Sequence, residues 1–346
     1  MKSIKIITTV IGLLLTQVPF SALIAQQNDV PVIVGVAPDI PGVVMRGSQI
    51  VRVLTGYNGL DDPIGLSDGL LVFAEPDALR LHRFNTETNE VSVLVAESNE
   101  SHGVSEDSEG RLISAQAWDG STRIGVIYPS ENIEVLADNF EGMPFSRPND
   151  LIVASNGGVY FTDPGLTSGQ VEELVERYGG QPLGSRLPPT VYYIPPGGEA
   201  VKIEENMIRP NGIQLNRAES RLYISDSNGD HVIAWDILPN GLVESRREFG
   251  TLQGRSNRDN GLGGVKTFAD GMAVDNEDRL YVATGGGVEV LNAQGEHLGI
   301  IPVRCLPRDC QNVAFGGPLK QTLYIAGAGS PYKIGMIARG LTTRAK

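Results

Sequence analysis

Six side chains open six similar phrases along this chain, and they are where chemistry is to be looked for: Asp61, His102, Asn149, Asn211, Asp270 and Asn312. They stand 41, 47, 62, 59 and 42 residues apart, and none is apolar. Carboxylate and carboxamide oxygens gathered in one place repel one another and lose hydration unless a cation stands among them. Oxygen donors without Cys suit a hard divalent ion, calcium first, with Mg2+ or Mn2+ possible and Zn2+ less apt. Asp61, Asn149, Asn211 and Asp270 are the expected metal ligands. His102, the one imidazole in the column, could take a proton from water near neutral pH.

The phrases themselves say what must position these residues. They run DDPIGLSDGLLVFAE, HGVSEDSEGRLISAQ, NDLIVASNGGVYFTD, NGIQLNRAESRLYISD, DGMAVDNEDRLYVAT and NVAFGGPLKQTLYIAG. Each has a polar opening, a short apolar strand, a tight turn and an alternating strand, and further alternating strands lie between copies. Forty-two Gly, 21 Pro and only 6% aromatic residues fit many short strands and tight turns. Each unit is thus about four antiparallel strands, and no such unit can bury both faces alone. Six of them packed radially give a six-bladed β-propeller whose inner strands bring the six openings to a central channel. A bare blade takes about 40 residues; the excess falls in two lid-like insertions, near 165–189, where VEELVERY has a helical pattern, and near 252–267. Residues 44–56 could add an outer strand to the last blade and close the ring. The expected division is 1–25 signal peptide, 26–43 extension and 44–342 propeller.

The phrases RPNDLIV with VYFTDPG, RPNGIQL with LYISD, ADGMAVD with RLYVAT, and QNVAFGG with LYIAG resemble the gluconolactonase and regucalcin (senescence marker protein) family, in that order over residues 40 to 335. The resemblance implies a six-bladed propeller with one central divalent metal held by Asp61, Asn211 and Asp270. It implies a polar contact from Asn149 and Asp150, and a substrate contact from Arg147. Where the family has Glu-Gly-Pro, this chain has Asp61-Asp62-Pro63, a shorter carboxylate beside an extra acid. His102-Gly103 is similar instead to a phrase of the paraoxonases, where the His lies beside the metal and is assigned as base. The implied activity is hydrolysis of a lactone: the cation polarises the carbonyl and a carboxylate or His activates water. Asp270 is the first choice of base, with Asp150 and His102 as alternatives. Arg147, Asn149 and His102 are the expected substrate contacts. The alternatives are aryl-ester or phosphotriester hydrolysis on the same metal, and a non-catalytic binding platform with a structural calcium. No Gly-x-Ser-x-Gly elbow occurs and neither Cys lies near the column, so nucleophilic catalysis has no carrier.

Lys2 and Lys5 before IITTVIGLLL, and a small-residue segment to Ala25, are the layout of a secretory leader, too short to span a membrane. The mature chain is expected in the periplasm or outside the cell, where Cys305 and Cys310 would pair. A formal charge of -13 argues against nucleic acid or an anionic membrane as partner and leaves a small molecule. TGGGV at 284–288 opens no helix and is no phosphate loop. Tyr160, Tyr223, Tyr281 and Tyr324 recur at one strand site and read as inter-blade packing. Asn99-Glu100-Ser101 matches a glycosylation sequon.

Overall fold

The structure, a computed structural model, describes residues 30–181, 183–256, 267–305, 308–327 and 329–346. The leader read at 1–25 and residues 257–266 of the second insertion lie outside the described residues.

The chain forms a six-bladed β-propeller of antiparallel sheets, each strand pairing with the next in sequence. The inner strands are Asp61–Gly65, Ser101–Glu106, Leu151–Val153, Pro210–Leu215, Met272–Val274 and Cys310–Gly316. Each touches the inner strand of the following blade, and the sixth touches the first. Five sheets have four strands. The sixth has five, because Gln49–Arg52 pairs with Ser330–Gly335 and Val32–Val36 pairs outside it. The ring is closed by residues from both ends of the described chain, leaving no gap between first and last blades.

Burial follows strand position. Second strands such as Leu71–Glu75, Val159–Asp163 and Leu280–Thr284 are buried throughout, whereas fourth strands such as Val91–Val95 and His297–Ile301 expose part of each residue pair. That gradient is what radial packing demands, since only the rim of each sheet meets water. The apolar clusters span neighbouring blades: Ile152, Tyr160 and Val191 of the third pack with Ile213, Leu222 and Ile224 of the fourth. The recurrent tyrosines are part of this packing. Tyr281 meets Phe315 of the next blade at 4.9 Å, Tyr324 meets Phe84 at 6.0 Å, and the Tyr160 hydroxyl donates to Gly241 O at 2.7 Å.

One turn is used six times. Its left-handed residue is Gly69, Gly110 and Gly157 in the first three blades, and Glu219, Asp278 and Lys320 in the others, at φ between 50° and 59° for the last three. A side chain costs energy in that conformation, so the repeat keeps the geometry where it no longer keeps glycine. The helical pattern in the first insertion becomes the helix Ser168–Arg177, started by a capping box in which Thr167 and Gln170 satisfy each other's backbone amides.

Candidate active site

Near the axis six backbones converge, and after three of the opening side chains there is no room for a side chain on the next residue. Gly103 N donates to Asn149 O at 2.6 Å, and a Cβ on Gly103 would lie 2.7 Å from Asp150 Cα. A Cβ on Gly212 would lie 2.2 Å from Asp270 O, and one on Gly271 1.8 Å from Asn312 Cγ. The small residue following His102, Asn211 and Asp270 is therefore a packing requirement.

The same contacts correct one member of the column. Gly271 N donates to Gln311 O at 2.7 Å, just as Gly103 N donates to Asn149 O, so the sixth ring position belongs to Gln311. Asn312 drops to a second layer, where its amide donates to Asp62 Oδ1 at 2.7 Å. Counting back from the turn points to Asn312 because the sixth hairpin is one residue longer on that side: Ala314, opposite Tyr324, stands six residues before the left-handed Lys320, whereas Ile152, opposite Tyr160, stands five before Gly157.

The ring is thus Asp61, His102, Asn149, Asn211, Asp270 and Gln311. Asn211 Nδ2 donates to Ser227 Oγ at 2.9 Å, and Ser227 Oγ donates to Ala269 O, so the orientation of the amide is set from behind. Two amide oxygens of this ring, Asn211 Oδ1 and Gln311 Oε1, are buried with no hydrogen-bond donor. Such atoms are costly unless something positive sits beside them. With the carboxylates of Asp61 and Asp270 on the same ring, the donors fit a hard divalent cation. Among the described residues no three His, Cys, Asp or Glu side chains form a group that could by itself hold a metal ion.

Asp150 lies in the second layer and is 2% exposed. Its Oδ2 accepts from Ile213 N of the next blade at 3.0 Å, and its Oδ1 accepts from Leu151 N and from the Lys346 ammonium. That places it beneath the ring, as a strut between blades rather than a base facing substrate. Asp62, the extra acid, does the same between the first two blades, accepting from Val104 N.

At the channel mouth His102 Nδ1 lies 3.3 Å from Asp61 Oδ2, and its Nε2 lies 2.9 Å from Arg147 NH2. Arg147 NH1 donates to Glu100 Oε1 at 2.6 Å. A ring protonated on Nδ1 satisfies both His102 contacts. Burial and the Arg147 charge push its pKa down, but the nearby Asp61 and Glu100 carboxylates outweigh them and hold it above the usual value. Burial likewise pushes Asp61 up, and His102 more than reverses that. Glu100 falls to about 2 because His102 and the Arg147 charge overcome its burial. Glu100 went unnoticed in the sequence because it falls outside the repeated column. Its visible signal was an acid two residues ahead of the only His in that column.

Arg147 itself is aimed by a device that explains why Arg-Pro-Asn is written twice. Asp163, at the end of the following strand, accepts from Ser146 N at 2.7 Å and Arg147 N at 2.9 Å. Asp226 accepts from Ile208 N at 2.9 Å and Arg209 N at 3.2 Å. In both copies the Asp clamps the loop just before the proline that leads into the inner strand. Burial carries the Asp163 carboxyl up to about 6, against the pull of those amides.

A cleft of about 670 Å³ adjoins this cluster, lined by Glu100, Arg147, Trp118, Leu174, Arg177 and Arg308 among others. The helix Ser168–Arg177 forms one wall. It is fastened by the Tyr178 hydroxyl donating to Asp119 Oδ2 at 2.6 Å, by Arg186 on Asp119, and by Arg177 over the Trp118 ring at 4.9 Å. Cys305 and Cys310 form a disulfide, and Cys310, expected away from the column, directly precedes Gln311 of the ring; its sulfur is bonded and offers no nucleophile.

Residues 66–329 match the family described as the SMP-30/Gluconolactonase/LRE-like region. The chain belongs to this family. It is 27% identical over 315 residues to a gluconolactonase of Zymomonas mobilis, covering 84% of this chain and 82% of that one. Among solved structures, a gluconolactonase of Xanthomonas campestris superposes with a TM-score of 0.70 at 23% identity, covering 90% of this chain and 96% of that one. A calcium-binding protein, regucalcin, of Agrobacterium tumefaciens gives 0.65 at 15%, covering 84% and 94%. These structural likenesses establish the propeller.

Proposed function

We propose that this protein is a hydrolase that opens lactones, with one divalent cation, calcium by its all-oxygen donors, held at the axis. The observation that carries the reading is the pair of donor-less buried oxygens, Asn211 Oδ1 and Gln311 Oε1, on a ring that also holds Asp61 and Asp270. Similarity to a gluconolactonase over 84% of the chain supports the substrate class. Asp61, Asn211, Asp270 and Gln311 would hold the ion, with Asn149 beside them. When bound, it supplies Lewis acidity for the ester carbonyl and for the attacking water.

The protein's own groups do the rest. Asp270 accepts the proton of the attacking water, since one carboxylate oxygen can serve the ring while the other serves the water. The Arg147 guanidinium, fixed by Glu100 and by its clamped backbone, presents its remaining N–H groups to substrate hydroxyls or to the new carboxylate. His102 bridges Asp61 and Arg147 and keeps both in register. The wall made by Trp118 and the helix limits water in the cleft and selects the ring substituents. A periplasmic or secreted location is part of the same proposal, supported by the leader-like segment at 1–25 and the Cys305–Cys310 disulfide.

Proton release from sugar lactones, aliphatic lactones and aryl esters, followed with a pH indicator, tests the reading. Lactone turnover should vanish with chelator, return with calcium, and be absent from Asp270→Asn. Faster turnover of aryl esters, or calcium binding without turnover of any ester, would replace it with an esterase or a binding platform.

A further inference from the structure

Residues 341–346 enter the propeller from the end opposite the ring, among the hairpin turns of the inner strands. Gly65 N donates to Ala345 O at 3.2 Å, and Arg344 donates to Leu215 O at 2.7 Å, Gln214 Oε1 at 3.1 Å and Glu219 Oε1 at 3.2 Å. Leu341 packs with Met272 and Val274, and Ala345 with Ile64 and Val104. These contacts deliver the Lys346 side chain to the axis. Its ammonium lies 2.7 Å from Asp62 Oδ1 and is bonded to Asp150 Oδ1, with no exposure of the side chain to solvent.

That ammonium is the centre of the second layer. Asp62 reaches Val104 of the second blade and Asn312 of the sixth, and Asp150 reaches Ile213 of the fourth. Asn312 in turn fills the space left by Gly271 of the fifth. One cation therefore joins side chains that tie all six blades. Asp62 and Asp150 are also the chain neighbours of Asp61 and Asn149, and Asp61 Oδ1 accepts from Asp62 N at 2.8 Å. A shift of the lower carboxylates is passed directly to the ring above. Without the ammonium, two buried carboxylates would face each other across the axis in a low dielectric, and they would move apart or draw in water.

We propose that Lys346 is a positioning residue, a built-in cation beneath the ring that sets the direction of the Asp61 and Asn149 side chains and so the geometry of the cation site. Its kinetic consequence rests on the lactonase reading; its consequence for cation binding does not.

The test uses the full chain carrying Lys346→Met, of similar length but uncharged, in three measurements: thermal unfolding, calorimetric calcium titration, and lactone kinetics well below the unfolding transition. Expected are a Tm lower by on the order of 10 °C, calcium affinity weaker by about tenfold or more, and kcat lower by about tenfold or more with little change in KM. An unchanged Tm, or a lowered Tm with unchanged calcium affinity and kcat, overturns the proposal, the second leaving Lys346 a structural residue only. If the wild type turns over no lactone, the functional reading falls, and the calcium titration alone decides Lys346. If Lys346→Met does not fold, the double variant Asp62→Asn/Lys346→Met, with the formal charge of the native layer, is measured instead. Calcium affinity equal to wild type in that variant would also overturn the proposal, because a neutral amide and a thioether at those two positions cannot aim the ring as the ion pair does.

Discussion

Lys320 offers a quantitative test of how tightly the blades close. It occupies the left-handed position of the sixth turn, is 6% exposed, and its ammonium donates to Gly65 O of the first blade. Burial lowers its pKa from 10.5 to about 8, against the pull of Glu106 and Asp68. At about 1.36 kcal/mol per unit, that shift corresponds to roughly 3 kcal/mol. The sign follows from where the proton is held more tightly. The unfolded chain keeps it up to about 10.5 and the native chain only to about 8, so below 8 the native state bears the whole cost. As pH rises from 8 to 10.5 the native group sheds its charge first, and stability rises relative to a chain without it. Lys320→Met removes the titration and keeps the chain length. Urea unfolding of both proteins at several pH values should show the stability of the variant minus that of wild type falling by roughly 3 kcal/mol between about pH 7.5 and 10.5. A difference that stays flat across that window would refute the claim that this ammonium is sealed between two blades.

Three further outcomes follow from the site. Glu100→Gln should destabilise by roughly 1 to 3 kcal/mol at neutral pH, after allowance for solvent at its edge. Because Glu100 titrates near 2 instead of 4.5, that loss should disappear as pH falls from 4.5 toward 2, as followed by chemical unfolding. Gly271→Ala places a Cβ 1.8 Å from Asn312 Cγ and should cost roughly 3 kcal/mol or more, read as a large fall in Tm. Arg147→Lys cannot reach Glu100 and His102 together, and the KM for a polyhydroxy lactone should rise by about tenfold in steady-state assays.

The blade count was legible because one turn recurs with one geometry, and turns are encoded by a few residues each. The ring was legible because a polar residue before a run of apolar ones stands out six times. Its sixth member slipped from Gln311 to Asn312 because one more residue between Ala314 and the turn leaves no mark in composition, and both residues carry amides. Asp150 could not be told from a catalytic acid, since its distinguishing feature is Ile213 N on another blade. Lys346 is the extreme case. Its bond to Asp150 joins residues 196 positions apart, and nothing around it in sequence differs from an ordinary polar tail.

The pairing of Gln49–Arg52 with Ser330–Gly335 has a bearing on how the molecule comes into being. An early segment of the polypeptide waits for a partner synthesised almost three hundred residues later, so a nascent chain can assemble several sheets yet never complete its circle. Such a long-range seam slows folding, because the entropy of closing so large a loop is spent before the pairing returns anything.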